Sequence, residues 1–123
     1  MDATARAIVA GLLFLFIFLS GIWLSKIGRP LNVAISTVHK LVSLATGITL
    51  LVTVYQRNRT VPLSATEWIT IVVTGLCFLG NVVSGGLLSF DKPRPTVLLR
   101  VHQVVPVLTV LSTAATLYLL LSR

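Results

Sequence analysis

Acidic residues and cysteine are scarce in this chain. Of its 123 residues only 11% are charged, and three of these are acidic against ten lysines and arginines, which gives a formal net charge of +7. Cys77 is the single cysteine. One cysteine excludes an intramolecular disulfide, and with it the disulfide-relay chemistry of the four-helix quinone reductases, which requires a CxxC pair.

Four long stretches lack charged residues altogether, and they account for most of the chain. They are residues 7–25, 41–56, 68–90 and 101–122. The hydrophobic share is 55% and the mean hydropathy is +0.97, which is more apolar surface than a soluble domain of this size can bury. A helix of ~20 apolar residues crosses a bilayer core ~30 Å thick.

These stretches predict an all-α membrane protein, a single transmembrane four-helix domain over residues 1–123. The expected helices cover about 4–26, 31–56, 65–90 and 95–122 and form an up-down-up-down bundle. The first span has no basic leader region and no cleavage pattern, so it is interpreted as a retained helix. The expected location is the cell membrane, as a multi-pass protein surrounded by lipid.

The basic residues lie between the spans or at their ends. In short loops of a membrane protein such residues set the topology and contact lipid headgroups. We therefore expect no nucleic-acid partner in spite of the positive charge. The helix ends carry their own signals: prolines at 30, 93 and 95 suit a first helical turn, and Ser64 with Glu67 forms a capping box.

The two halves of the chain repeat one another in sequence. Residues 11–25 match residues 75–89 at eight of fifteen positions. The second and fourth helices align at a spacing of 63, which pairs Pro30 with Pro93 and His39 with His102. Each half contributes two spans, so the halves have the same orientation, and the chain consists of two parallel two-helix repeats.

Steps of three and four residues predict the inward face of each helix. Gly, Ser and Thr on such faces suit close helix contact in lipid. The predicted inward positions are 11, 14, 18, 21 and 25 in the first helix, 36, 39, 43, 46, 50 and 53 in the second, 75, 78, 82, 85 and 89 in the third, and 99, 102, 106, 109, 113 and 116 in the fourth.

His39 and His102 are the candidate metal ligands. An ionisable residue inside a span is costly, so it is a functional-site hypothesis by default. A lone membrane histidine often only bonds to a neighbouring helix, but these two are related by the repeat, which favours ligation. Two imidazoles at one depth suit the axial positions of a haem iron. Zinc requires a third or fourth ligand, which the sequence lacks at that depth.

Four further residues are candidates for cofactor binding. Gly21 and Gly85 lie at repeat-related positions near the level of the histidines, where missing side chains would admit the edges of a porphyrin. Lys40 follows His39 and Arg100 lies two residues before His102. These two cations would pair either with haem propionates or with lipid headgroups.

This architecture and the ligand pair His39 and His102 resemble the b-type membrane cytochromes that are four-helix, bis-histidine bundles. Many of these proteins bind a second haem through ligands about fourteen residues further along the same helices. Thr53 and Thr116 occupy those places here, and neither can ligate iron. The resemblance therefore implies one haem b per chain.

The function expected from these features is that of a one-haem, single-electron carrier. It would exchange electrons with a membrane quinol or a redox partner protein at the face of the loops 26–31 and 90–96, and the chain could also assemble as a homo-oligomer. Whether the protein is itself a quinone-coupled oxidoreductase stays open. A small four-span transporter is an alternative, although its usual intramembrane carboxylate is missing; a non-redox assembly subunit is another.

Overall fold

The computed structural model of the chain describes residues 2–90 and 95–122, which form four α-helices and no strand. The helices are α1 (Ala3–Ile27), α2 (Val33–Thr60), α3 (Ala65–Leu88) and α4 (Thr96–Leu121). All four are long and apolar enough to cross a membrane. The prediction of an all-α protein with four membrane-spanning helices is thereby confirmed.

The helix ends follow local capping chemistry. The Asp2 side chain accepts a hydrogen bond from the Ala5 amide at the start of α1, and Gly28 ends that helix with a φ of 78°, a conformation that glycine adopts without strain. At the start of α3, Ser64 and Glu67 form the predicted capping box, with both hydrogen bonds present.

The second helix differs from its predicted bounds at both ends. It begins at Val33 rather than at 31, and Pro30 lies three residues before it. The Asn32 side chain accepts a hydrogen bond from the Ile35 amide and so supplies the N-terminal cap. The helix continues to Thr60 because the first helix-breaking residue beyond it is Pro62. Pro93, the predicted counterpart of Pro30, lies outside the described residues.

The burial pattern is the reverse of that of a soluble protein. Among the described residues, Ala10 and Leu120 are the buried hydrophobic side chains, whereas most other buried positions are Ser or Thr. Large apolar side chains cover the surface, for example Leu12, Leu51 and Leu76, each at least 60% exposed. Small polar residues inside and aliphatic residues outside are the arrangement of helices packed in lipid.

The chain divides into two compact units, Met1–Gln56 and Arg57–Arg123. In the first, α1 and α2 pair as an antiparallel hairpin: the Arg6 guanidinium donates to Thr53 Oγ1 over 3.1 Å, and Ser20 Oγ lies 2.8 Å from His39 Nδ1. The division coincides with the sequence repeat. That all of residues 1–123 form a single domain remains a prediction.

In the second unit, α3 and α4 also pair as an antiparallel hairpin. Three pairs of polar side chains connect the two helices along their length. They are Thr74 and Thr116 (3.1 Å), Asn81 and Thr109 (2.8 Å), and Ser84 and His102 (2.8 Å).

Burial repeats between the two units. Four pairs of positions that the sequence repeat relates are buried in both. They are Ala10 and Thr74, Ser20 and Ser84, Thr46 and Thr109, and Thr53 and Thr116. The repeat found in the sequence is therefore a repeat of packing as well.

The predicted inward faces are correct in α2 and wrong in part elsewhere. In α2, positions 36, 39, 43, 46, 50 and 53 are all buried or half-buried. Exposed positions among those predicted to face inward are Gly11, Ser25, Gly75, Val82 and Leu99. A strict alternation of three and four residues drifts from the 3.6-residue helical turn, and this drift moves the predicted stripe off the contact face.

Candidate functional site

His39 lies in the second turn of α2 and is held by a residue of α1. It is the seventh residue of its helix and is half-buried. Its Nδ1 is 2.8 Å from the hydroxyl of Ser20, and that hydroxyl also donates to the Ile17 carbonyl over 3.1 Å. The ring is thus anchored to the neighbouring helix through one of its two nitrogens.

His102 occupies the equivalent place in the second unit. It is the seventh residue of α4, is half-buried, and has its Nδ1 2.8 Å from the hydroxyl of Ser84. The Ser84 hydroxyl donates to the Gly80 carbonyl at 2.7 Å, with the Asn81 carbonyl at 3.3 Å. The serine–histidine pair is therefore built twice, from residues that the sequence repeat relates.

Each serine is followed by a glycine that faces the same imidazole. A Cβ atom placed on Gly21 would lie 3.2 Å from His39 Cε1, and one placed on Gly85 would lie 2.9 Å from His102 Cε1. The missing side chains make room for the histidine rings. A role for these glycines in admitting a porphyrin edge remains a prediction.

The two basic candidates lie beside this arrangement. Lys40 directly follows His39, Arg100 lies two residues before His102, and both are exposed. Exposed cations at the ends of membrane helices reach lipid headgroups with ease. Their pairing with haem propionates therefore stays a prediction.

The positions fourteen residues beyond the histidines are buried and serve the helix contacts. Thr53 and Thr116 each donate a hydroxyl hydrogen bond to the backbone carbonyl four residues earlier. Arg6 bonds to Thr53 and also to Gln56, whereas Thr74 bonds to Thr116. These side chains fill the places at which a second haem would need its ligands.

The ligand chemistry of the two histidines is compatible with haem. A metal-bound histidine usually directs its other ring nitrogen to a hydrogen-bond partner, which fixes the ring orientation. Here Nδ1 has that partner in both units, so Nε2 is the nitrogen that would bind a metal. The described residues contain no group of three His, Cys, Asp or Glu side chains, the smallest usual protein ligand set of zinc.

Ser20 and Ser84 are site residues that the sequence pattern did not identify. Both belong to the repeated segments, but each lies one residue before the predicted stripe, which passes through Gly21 and Gly85. The signal that could have identified them is that serine occurs at both of these repeat-related positions.

The two halves differ four residues after the histidine. In the first half, the Ser43 hydroxyl donates to the His39 carbonyl over 2.7 Å. In the second half the counterpart is Pro106, which has no backbone N–H for the His102 carbonyl.

Comparison of the chain with protein-family models, with curated proteins and with solved structures finds no match.

Proposed function

We propose that this protein is a membrane-embedded b-type cytochrome in which His39 and His102 bind one haem b. The observation that carries the proposal is the duplicated histidine environment. In each unit a histidine is the seventh residue of its helix, with Nδ1 bonded to a serine hydroxyl and a glycine against the ring. Each histidine is thereby held at the same position along its helix with its ring oriented through Nδ1, which is the usual arrangement of a metal-binding histidine.

The chain's own residues perform three tasks in this proposal. His39 and His102 would hold the haem iron, Ser20 and Ser84 would orient the two rings, and the exposed Lys40 and Arg100 would pair with the haem carboxylates. Haem b, when bound, supplies one-electron oxidation and reduction at its iron. An apolar shell in the membrane would help to set its potential.

Such a protein would carry single electrons, either as an electron-transfer subunit or as a quinone-coupled oxidoreductase itself. Its donor or acceptor would be a membrane quinol or a redox protein that docks near the segments 28–32 and 89–95, the ends of the hairpins closest in sequence to the histidines. The proposed location is the cell membrane, where the four apolar helices would make this a multi-pass protein.

A non-redox assembly subunit is the second candidate. It is favoured by the serine–histidine bonds themselves, because each pins two helices of one hairpin together without any cofactor. A four-span transporter has less support. Glu67 is the one buried carboxylate among the described residues, and it accepts the Ser64 amide in a helix cap, which leaves it poorly placed to couple transport.

A visible absorption spectrum of the purified protein distinguishes these functions. A bis-histidine haem b gives sharp low-spin bands on reduction, and the cytochrome proposal predicts them in the full chain purified from a haem-replete membrane. Protein that folds, is monodisperse and remains colourless after incubation with haemin would instead support the assembly subunit or the transporter.

A further inference from the structure

We infer that Ser20 and Ser84 are positioning residues that fix both histidines in one tautomer, with the proton on Nδ1 and the lone pair on Nε2. A neutral imidazole carries its proton on either nitrogen, and only the deprotonated nitrogen can bind a metal or accept a proton. The hydrogen bonds around the two serines decide which nitrogen that is.

The second unit gives the clearest case. A serine hydroxyl has a single proton to donate. The Ser84 hydroxyl is 2.7 Å from the Gly80 carbonyl, which can only accept, so the proton of Ser84 is committed to that carbonyl. Towards His102 Nδ1, 2.8 Å away, the Ser84 oxygen can then only accept. The Nδ1 of His102 must therefore carry the hydrogen.

In the first unit, the Ser20 hydroxyl makes the two corresponding contacts at different distances. The Ser20 hydroxyl donates to the Ile17 carbonyl over 3.1 Å and lies 2.8 Å from His39 Nδ1. The Ile17 carbonyl has no proton to give, so the proton of the Ser20 hydroxyl lies towards that carbonyl. The Ser20 oxygen then accepts from His39 Nδ1, which carries the hydrogen.

The glycine after each serine completes the restraint. Gly21 and Gly85 have no side chain, and a Cβ atom at these positions would lie only 3.2 Å from His39 Cε1 and 2.9 Å from His102 Cε1. The Ser-Gly dipeptide thus fixes the ring in two ways: the serine by a hydrogen bond to Nδ1, the glycine by close contact at Cε1. It occurs twice, at residues 20–21 and 84–85.

The tautomer has a consequence for iron that rests on the proposed function. A ring whose Nδ1–H donates to an acceptor is a stronger electron donor through Nε2. The serine oxygen is a good acceptor because its own proton already bonds to a carbonyl, and such chains polarise one another. Stronger donation stabilises the oxidised iron, so the two serines should lower the midpoint potential of the haem.

The test of the tautomer uses the full chain without haem, labelled with ¹⁵N at histidine, in detergent micelles. Ring ¹⁵N shifts should report the Nδ1–H form for both histidines. In Ser20→Ala the ratio of the Nδ1–H to the Nε2–H tautomer of His39 should fall about fivefold, and in Ser84→Ala that of His102 should do so. A fivefold change corresponds to the free energy of about one ordinary hydrogen bond. Ser43→Ala is the control, because Ser43 bonds to the backbone carbonyl of His39 and not to its ring.

The Nε2–H form at either histidine of the unmodified chain would overturn the tautomer assignment whether or not haem binds. The expected tautomers in a chain that never binds haem would refute the cytochrome proposal and leave the assignment standing. In haem-loaded protein the midpoint potential should rise in Ser20→Ala and Ser84→Ala and return towards the original value in Ser20→Thr and Ser84→Thr. A potential that does not move in the alanine variants would overturn the role of the serines towards iron.

Discussion

At the scale of single residues, two adjacent glycines of α3 face different surroundings. A Cβ on Gly85 would lie 2.9 Å from His102 Cε1, whereas one on Gly86 would have nothing within 4 Å. We predict that Gly85→Ala displaces the His102 ring and lowers haem occupancy severalfold, while Gly86→Ala leaves it unchanged. Haem content per protein after reconstitution measures the difference. Equal losses in the two variants would contradict the prediction that the close contact of Gly85 with His102 matters for haem binding.

The first unit offers the same comparison with a larger substitution. Gly21→Leu should lower haem occupancy because its side chain would occupy the space of the His39 ring, at a Cβ distance of 3.2 Å. Gly11→Leu is the control, since nothing lies within 4 Å of a Cβ there. Similar haem content in both variants would mean that Gly21 acts only in helix packing.

The sequence could predict the histidines and glycines of the site but not the hydrogen bonds that organise it. His39 and His102 stand out because ionisable residues are rare within spans. Ser20 and Ser84 do not, since serine is an ordinary packing residue in membrane helices and forms bonds to its own backbone as readily as to a neighbour. Only the paired helices show which of these options each serine takes.

At the scale of the helix pair, the two hairpins differ in their polar contacts. Asn81 of α3 donates a hydrogen bond to Thr109 of α4. The repeat-related positions in α1 and α2 are Ile17 and Thr46, and the Ile17 side chain has no hydrogen-bond donor. Thr46 and Thr109 are both almost fully buried, and each donates to a carbonyl of its own helix. Thr109 therefore makes one interhelical bond that Thr46 lacks.

This difference predicts unequal costs for the same substitution. Thr109→Val should lower the free energy of unfolding by about 1 kcal/mol more than Thr46→Val, because only the former removes a side-chain bond between membrane helices. Equilibrium unfolding in mixed micelles of increasing denaturing-detergent content measures both values. Equal costs would show that the Asn81 bond contributes no net stability.

Helix bounds were predictable to within a few residues, whereas helix contacts were not. The capping box at Ser64 marked the start of α3 correctly, since both of its residues are local in sequence. The contacts of Asn81 and of Arg6 were not foreseen, because their repeat counterparts are the apolar Ile17 and the small polar Thr70. The sequence repeat identifies the contacts that the two halves share, and a contact that only one half makes has no counterpart in it.

At the scale of the whole molecule, the histidines lie close to one end of their helices. His39 and His102 are each the seventh residue of α2 and α4, about 9 Å from the helix start at 1.5 Å per residue. In a core ~30 Å thick each histidine is then in the leaflet next to the start of its helix. The haem that we propose would accordingly be near the proposed docking face at the segments 28–32 and 89–95 and remote from the opposite face.

This depth predicts one-sided electron exchange. In vesicles of uniform orientation, a membrane-impermeant reductant should reduce the haem rapidly from the face of those two segments and slowly from the face of the chain termini. Stopped-flow absorbance with the reductant on either side measures both rates. Rapid reduction from the terminal face by the purified protein alone would contradict a single haem at this depth.

The central claim, one haem b held by His39 and His102, is tested most directly by haem stoichiometry in the unmodified chain and its histidine variants. Pyridine haemochrome absorbance against quantitative amino-acid analysis should give a ratio near one haem per chain, with a low-spin spectrum. His39→Ala and His102→Ala should each abolish that spectrum while the protein stays helical and in the membrane. A ratio near two, or a low-spin haem that survives in either variant, would contradict the claim.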